Sequence, residues 1–225
     1  MQVAQRVIDL SGPISPGVWS YNVLPQIQPK LPLVEVEEVA SAARDGWEAH
    51  RLVLSTCGGC TYIETSAHMV PGRPRAADVD VAAFLRPAAV VLLPRKAPRS
   101  LITAADLAVA APEIHPGDAL LTSCGWGERW DQPGYVEECP TWSADAMEWA
   151  LERRIGLLAT DLPDLEAPSE AGRVLRPLFE HDVLLLAPIV NLESARRPRG
   201  QIIALPLPVL GVCATPTRAV FVEED

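Results

Sequence analysis

The sequence has no apolar run near the roughly 18–20 residues that a membrane-crossing helix requires, and it shows no internal repeat and no low-complexity segment. Basic charge is scarce: 19 Lys and Arg stand against 29 Asp and Glu, for a net charge of −10. A nucleic-acid partner needs a clustered basic surface, so this balance argues against one. Arg196, Arg197 and Arg199 form the densest basic group and read as a solvated Pro/Gly turn. Five cysteines in 225 residues do not make a disulfide framework. No apolar leader precedes the strand-like Val7-Ile-Asp-Leu10, so a cytoplasmic protein with a small-molecule partner, and neither nucleic acid nor membrane, is the expectation.

What is present is a chain 48% hydrophobic, long enough for one sizeable core, and residues 1–225 read as a single domain. Short runs rich in Val, Ile and Leu predict strands at 7–10, 52–55, 88–93, 119–122, 156–159, 183–189, 205–210 and 219–222. Residues 34–39 alternate as a strand with one wet face would. Helices are expected at 103–110, with Thr103 as N-cap, at 143–153, capped by Ser143, and at 169–180, weakened by Pro177. The fold class is therefore α/β, a strand-rich mixed sheet with few helices. Loops 11–33 and 125–142 are long enough to carry function.

Residues 54–68, Leu-Ser-Thr-Cys-Gly-Gly-Cys-Thr-Tyr-Ile-Glu-Thr-Ser-Ala-His, hold most of the chemistry. Glu64 and His68 can serve as an acid/base pair or as metal ligands. Thr61 and Tyr62 can donate hydrogen bonds to a developing oxyanion. The plainer alternative is a polar loop with one ordinary histidine. Cys57-Gly-Gly-Cys60 is open to three readings: a redox couple, half of a zinc site, or two small buried residues. Trp19, Tyr21 and Trp126, with Trp130 and Trp142, are candidates for an aromatic wall around a flat substrate, against core packing. His50 lies before the motif, His115 reads as a turn residue, and Cys124, Cys139 and Cys213 as small buried residues.

Several separate stretches resemble one family. Val7-Ile-Asp-Leu-Ser11, Leu120-Leu-Thr-Ser-Cys-Gly-Trp126, the helix at 143–154 followed by Gly156-Leu-Leu-Ala-Thr-Asp161, Leu205-Pro-Leu207 and Pro216-Thr-Arg218 occur in its order. The chain thus resembles the cyclase family of metal-dependent hydrolases, which includes bacterial kynurenine formamidase and isatin hydrolase. The resemblance implies a swivelling β/β/α fold and a homo-oligomer, a dimer or larger. The family's marker is His-x-Gly-Thr-His-x-Asp-x-Pro-x-His. Counting back from His68 as the last histidine puts Glu64 at the aspartate, Tyr62 at the second histidine, Thr61 at the threonine and Gly58 at the first histidine. A one-residue shift puts Cys57 there instead. The two downstream ligand positions fall at Leu175 and Ala187, with His181 and Glu193 nearby but off register. Asp161 matches a buried aspartate and reads as a supporting residue; Arg218 reads as an ion-pair partner.

The metal motif is thus degenerate; on ligand chemistry one alternative set for zinc or another divalent ion can be assembled, from Cys57, Cys60, Glu64 and His68, and the alternative is a metal-free site. Three functions follow. One is hydrolysis of an amide or cyclic amide C–N bond, arylformamidase-like, with His68 as general acid/base. A second is a metal-independent biosynthetic cyclase or dehydratase acting on a polycarbonyl. The third is a non-catalytic small-molecule binding protein.

Overall fold

Residues 5–224 are described by a computed structural model. The strands, in chain order, are β1 (Val7–Asp9), β2 (Glu35–Ala40), β3 (Ala49–Val53), β4 (Tyr62–Glu64), β5 (Leu85–Leu92), β6 (Leu101–Ile102), β7 (Ala119–Ser123), β8 (Thr141–Trp142), β9 (Leu157–Thr160), β10 (Leu184–Ala187), β11 (Arg199–Pro206) and β12 (Ala214–Glu223). The helices are α1 (Ala42–Asp45), α2 (Ala104–Ala110), α3 (Ala144–Glu152) and α4 (Leu175–Glu180). No helix among the described residues is long and apolar enough to cross a membrane.

The main sheet runs β1-β12-β11-β5-β7-β9-β10-β4, and a further pairing of β4 with β12 closes it into a barrel. β5, β7, β9 and β10 are parallel; β11, β12 and β4 join them antiparallel. β7, β9 and β10 are buried at every position, as strands covered on both faces must be. The side-chain period of two sorts them into two layers. Ile63, Leu121, Ala159 and Leu186 fill the barrel with Phe221, while Leu120, Leu158, Leu185 and Ala187 face an outer layer with Trp142, Met147 and Phe179. Closure leaves the barrel without an open edge at β4, so its two outward side chains are held in fixed positions.

α2 begins as its sequence predicts: Thr103 Oγ1 accepts the Asp106 N–H at 3.3 Å, and Asp106 Oδ2 accepts the Thr103 N–H at 2.8 Å. α3 differs in its cap. Ser143 gives its hydroxyl to the Ile102 carbonyl (2.9 Å), and Glu170 Oε2 accepts the Ala144 N–H instead (3.2 Å). The helix expected over 169–180 is α4 alone, preceded by a 3₁₀ turn at Pro168–Glu170. Pro177 sits in the first turn of α4, where a missing N–H breaks no intrahelical bond.

Two strand expectations need correction. Of the strand expected over 205–210 only Leu205 and Pro206 are strand, as the end of β11, which starts at Arg199 and stops there because Pro206 and Pro208 supply no N–H and Gly211 turns with φ of +82°. The motif region read as strand then loop contains β4, whose three residues are too few to show a period. β3 does not enter the core. With β2 it forms a separate two-stranded hairpin that leaves Val36, Val39, Trp47 and Leu52 exposed.

Candidate functional site

β4 presents Ile63 to the barrel and turns Tyr62 and Glu64 outward. Glu64 lies opposite Leu185 on one side and Ala214 on the other, so it is buried between two strands. The chain then turns at once. A 3₁₀ helix at Ser66–His68, closed by the His68 N–H to the Thr65 carbonyl at 3.0 Å, swings the imidazole back over the carboxylate. His68 Nδ1 lies 2.8 Å from Glu64 Oε1, the glutamate side chain being 5% exposed and the histidine 38%.

The same register delivers a third group that the sequence did not single out. Cys213 immediately precedes β12, and its carbonyl accepts both the Thr65 N–H (2.9 Å) and the Thr65 hydroxyl (3.2 Å). Its Sγ therefore sits 3.8 Å from His68 Nδ1. Glu64, His68 and Cys213 each bring a ligand-type atom, all within 4.8 Å of one another. Cys213, expected as a buried filler, is half-buried and belongs to the site. Only the pairing of Ala214 with Glu64 would have disclosed it, and no local pattern encodes that pairing.

The charges explain the contact. The Cys213 sulfur and the Glu64 carboxylate raise His68 to about 10 against the opposing effect of burial. The ring thus carries a proton at neutral pH. Nδ1 also lies 3.8 Å from the Cys213 sulfur, and Glu64 Oε1, though 2.8 Å from Nδ1, is a buried carboxylate oxygen with no well-aligned hydrogen bond. Phe179 packs beside the ring, centroids 5.7 Å apart, and steadies it. Nε2 is the nitrogen left for other work.

Tyr62 and Tyr21 add a buried phenol pair, oxygens 3.0 Å apart. Tyr21 also contacts the Pro163 carbonyl, which can only accept. Tyr21 must therefore donate to Pro163, and Tyr62 to Tyr21. Burial lifts both phenols well above their ordinary value, so neither ionises at neutral pH. Ala187 stands directly across from Tyr62. Two positions at which the resemblance places ligands thus face each other, occupied by a phenol ring and a methyl group.

The other expected residues divide. Thr61 gives its one hydroxyl proton to the Pro188 carbonyl at 2.7 Å and accepts the Gly12 N–H at 3.0 Å. It has no proton left for an oxyanion, and its role is to tie three segments together. Trp126 is not part of a substrate wall: it is buried, its N–H goes to the Tyr135 carbonyl (2.9 Å), and Arg129 covers its face at 4.4 Å. Trp19 does stand behind the phenol pair, edge-on to Tyr21 at 5.3 Å and to Trp130 at 5.4 Å, its indole N–H buried without a partner among the described residues. Cys57 and Cys60 stay outside the three-donor group. They pack with Tyr62, Leu54 and Ala214, and burial pushes their thiols up to about 11 and about 12. The four-donor set Cys57, Cys60, Glu64 and His68 is not the one that gathers; Cys213 takes the place of the Cys-x-x-Cys pair.

Asp161 lies apart from the trio. It accepts N–H groups from Cys124 (3.1 Å), Trp126 (2.7 Å) and Gly127 (3.3 Å) and the Ser123 hydroxyl (2.7 Å), and so shapes the loop after β7. Ser123 also touches Glu193. His50 and His115 are exposed, and His181 bonds only its own helix end, Nδ1 to the Pro177 carbonyl at 2.8 Å. Arg218 pairs with Asp9 in the open. A surface groove of about 590 Å³ runs between α3 and α4 past Met147, Arg173 and His181 and holds none of the trio.

The chain matches the Cyclase family over residues 8–167. A solved structure of isatin hydrolase A from Ralstonia solanacearum superposes with a TM-score of 0.84 at 20% identity, over 98% of this chain and 92% of that one. Isatin hydrolase A from Labrenzia aggregata, bound to benzyl benzoate, gives 0.81 at 17% identity over 99% and 95%. A predicted metal-dependent hydrolase from Bacillus stearothermophilus gives 0.77 at 20% identity over 99% and 100%. At such identities the likeness is one of fold. No curated protein matches the chain.

Proposed function

The chain belongs to the cyclase family, and from that premise we propose that it is a hydrolase that opens the C–N bond of an amide or cyclic amide, in the manner of an arylformamidase. The observation that supports this reading is the contact of His68 with Glu64, Nδ1 to Oε1 2.8 Å, at the edge of an open surface. Where no ion is bound, Glu64 holds the ring charged through its contact with Nδ1, and Nε2 delivers a proton to the departing nitrogen. The aromatic group of Trp19, Tyr21 and Tyr62 supplies a flat flank beside the pair.

The donor set fits a divalent cation. One carboxylate oxygen, buried and without a well-aligned hydrogen bond, faces an imidazole nitrogen and a sulfur within 4.8 Å. Glu64, His68 and Cys213 would hold the ion, and three protein ligands with one open position is the pattern of catalytic zinc. Such an ion supplies a Lewis acid for a carbonyl oxygen.

The experiment is turnover of arylformamides and aryl lactams by the wild type, Glu64→Gln and His68→Ala. Both variants should lower kcat by about 100-fold or more. Equal turnover in all three, or none in the wild type on any C–N substrate, sinks the hydrolase.

A second reading draws on the same contact, because Glu64 and His68 meet through the fold alone. A metal-free acid/base pair suffices for ring closure or dehydration of a polycarbonyl, where the carbon is already acidic. Activity on such a substrate that survives a chelator and is lost in His68→Ala favours it.

The reading extends to assembly. A two-stranded hairpin is marginal alone, and β2–β3 exposes Val36, Val39, Trp47 and Leu52. We infer that a second copy of the chain covers this hairpin in a homo-oligomer.

A further inference from the structure

We propose that Cys213 is a protein ligand of the cation held by Glu64 and His68, and that its sulfur makes the site selective for zinc over manganese and magnesium. The inference rests on the reading of this trio as the working site.

The fold fixes Cys213 where a ligand must be. Thr65, the residue after Glu64, binds the Cys213 carbonyl twice, through its N–H at 2.9 Å and its hydroxyl at 3.2 Å. Ala214, the residue after Cys213, is paired with Glu64 itself. A carboxylate and a thiol on neighbouring strands are thereby locked side by side, and the 3₁₀ turn brings His68 over both. Little ordering remains to be done when an ion arrives.

What the site lacks is a well-placed donor to Glu64. Its Oε1 is fully enclosed, and His68 Nδ1, 2.8 Å away, gives it no well-aligned hydrogen bond. A buried carboxylate oxygen in that state costs free energy unless a cation or a donor meets it. An ion that displaced the Nδ1 and thiol protons and was bound by Oε1, Nδ1 and Sγ would meet it and leave the exposed flank of His68 open to substrate.

The donor types decide which ion. A thiolate beside an imidazole suits borderline-soft ions, whereas magnesium and manganese favour sets of carboxylates, carbonyls and water. Magnesium in particular keeps several waters in a near-octahedral shell, which one carboxylate in this trio cannot replace. Cys57 and Cys60 offer sulfur too, but their sulfurs lie outside the three-donor group.

The test is made without substrate, so it stands or falls separately from the hydrolase. Metal-stripped full-length protein is titrated with Co(II) and followed by absorbance, with competition by Zn(II), Mn(II) and Mg(II). The wild type should take up one cobalt per chain with a thiolate-to-cobalt charge-transfer band in the near ultraviolet. Zinc should displace it, and manganese and magnesium at equal concentration should not. Cys213→Ser should abolish the band and weaken binding by more than about 100-fold. Cys57→Ser and Cys60→Ser should keep band and affinity. Melting curves of all three variants verify folding. The assignment is overturned if Cys213→Ser retains the band, if Cys57→Ser or Cys60→Ser removes it, or if folded wild type binds no cobalt. Should Cys213→Ser fail to fold, Glu64→Gln takes its place: loss of stoichiometric cobalt with an unfilled site supports the trio, and unchanged cobalt binding overturns it.

Discussion

The Tyr21 ring lies 3.2 Å from where a Cβ on Gly58 would stand. Gly58 has φ of +111°, a conformation that only glycine adopts without strain. The position at which the resemblance places the first histidine is therefore closed twice, by backbone conformation and by the phenol that bonds Tyr62. Gly58→His is expected to lower stability by about 2–4 kcal/mol and to add no metal affinity. Urea unfolding and cobalt titration check both; a stable variant with tighter metal binding would show that the ligand can simply be restored.

Thr61 joins the N-terminal loop, β4 and the turn after β10 through one hydroxyl. Thr61→Val keeps the shape but strands a buried N–H and a carbonyl, at a cost of about 2–5 kcal/mol. Thr61→Ser should cost about 1 kcal/mol or less. An opposite outcome, in which Thr61→Val melts like the wild type yet loses turnover, would return the hydroxyl to the chemistry.

Asp161 gives a pH signature. Burial raises its carboxyl from 3.8 to about 6, with the Glu193 charge adding to the rise, although Ser123 and the N–H groups of Trp126 and Gly127 pull the other way. A raised folded pKa favours the protonated form, so its contribution is complete below pH 3.8 and is lost as pH climbs through 6. The loss is about 3 kcal/mol at most. Relative to Asp161→Asn, wild-type stability should fall between pH 4 and pH 6 and then level off. Urea midpoints across that window test it. Parallel curves for the two proteins would mean that Asp161 does not titrate there.

The exposed hairpin predicts assembly. Paired substitutions Trp47→Glu and Leu52→Lys should reduce the mass in light scattering to that of one 24.3 kDa chain without lowering the monomer's melting temperature. A wild type already at that mass rules out the oligomer.

Much of the fold was legible because it is local. The runs at 119–122, 156–159 and 183–189 are apolar but for Thr122, as a strand covered on both faces tends to be, and they became β7, β9 and β10. Thr103 with Asp106 marks the start of α2 by chemistry confined to four residues. β4 escaped notice because three residues cannot display an alternation, and all but the end of β11 because it begins with Arg, Gly and Gln and is held by pairing with β5 and β12. Trp126 looked like a site residue for the same reason: an indole in a long loop has no local mark that tells core from cleft.

The sequence by itself determined that Glu64 and His68 would lie near each other, since four residues separate them and a short turn brings them together. It also determined that the usual histidines are missing. Only the tertiary structure decided what completes the pair. Cys213 is 145 residues beyond His68 in the chain, and it arrives through the antiparallel register of β12 on β4. A strand's register is set by the burial of its whole apolar face. For that reason the barrel interior, filled by Ile63 and Phe221, selects which sulfur meets the imidazole.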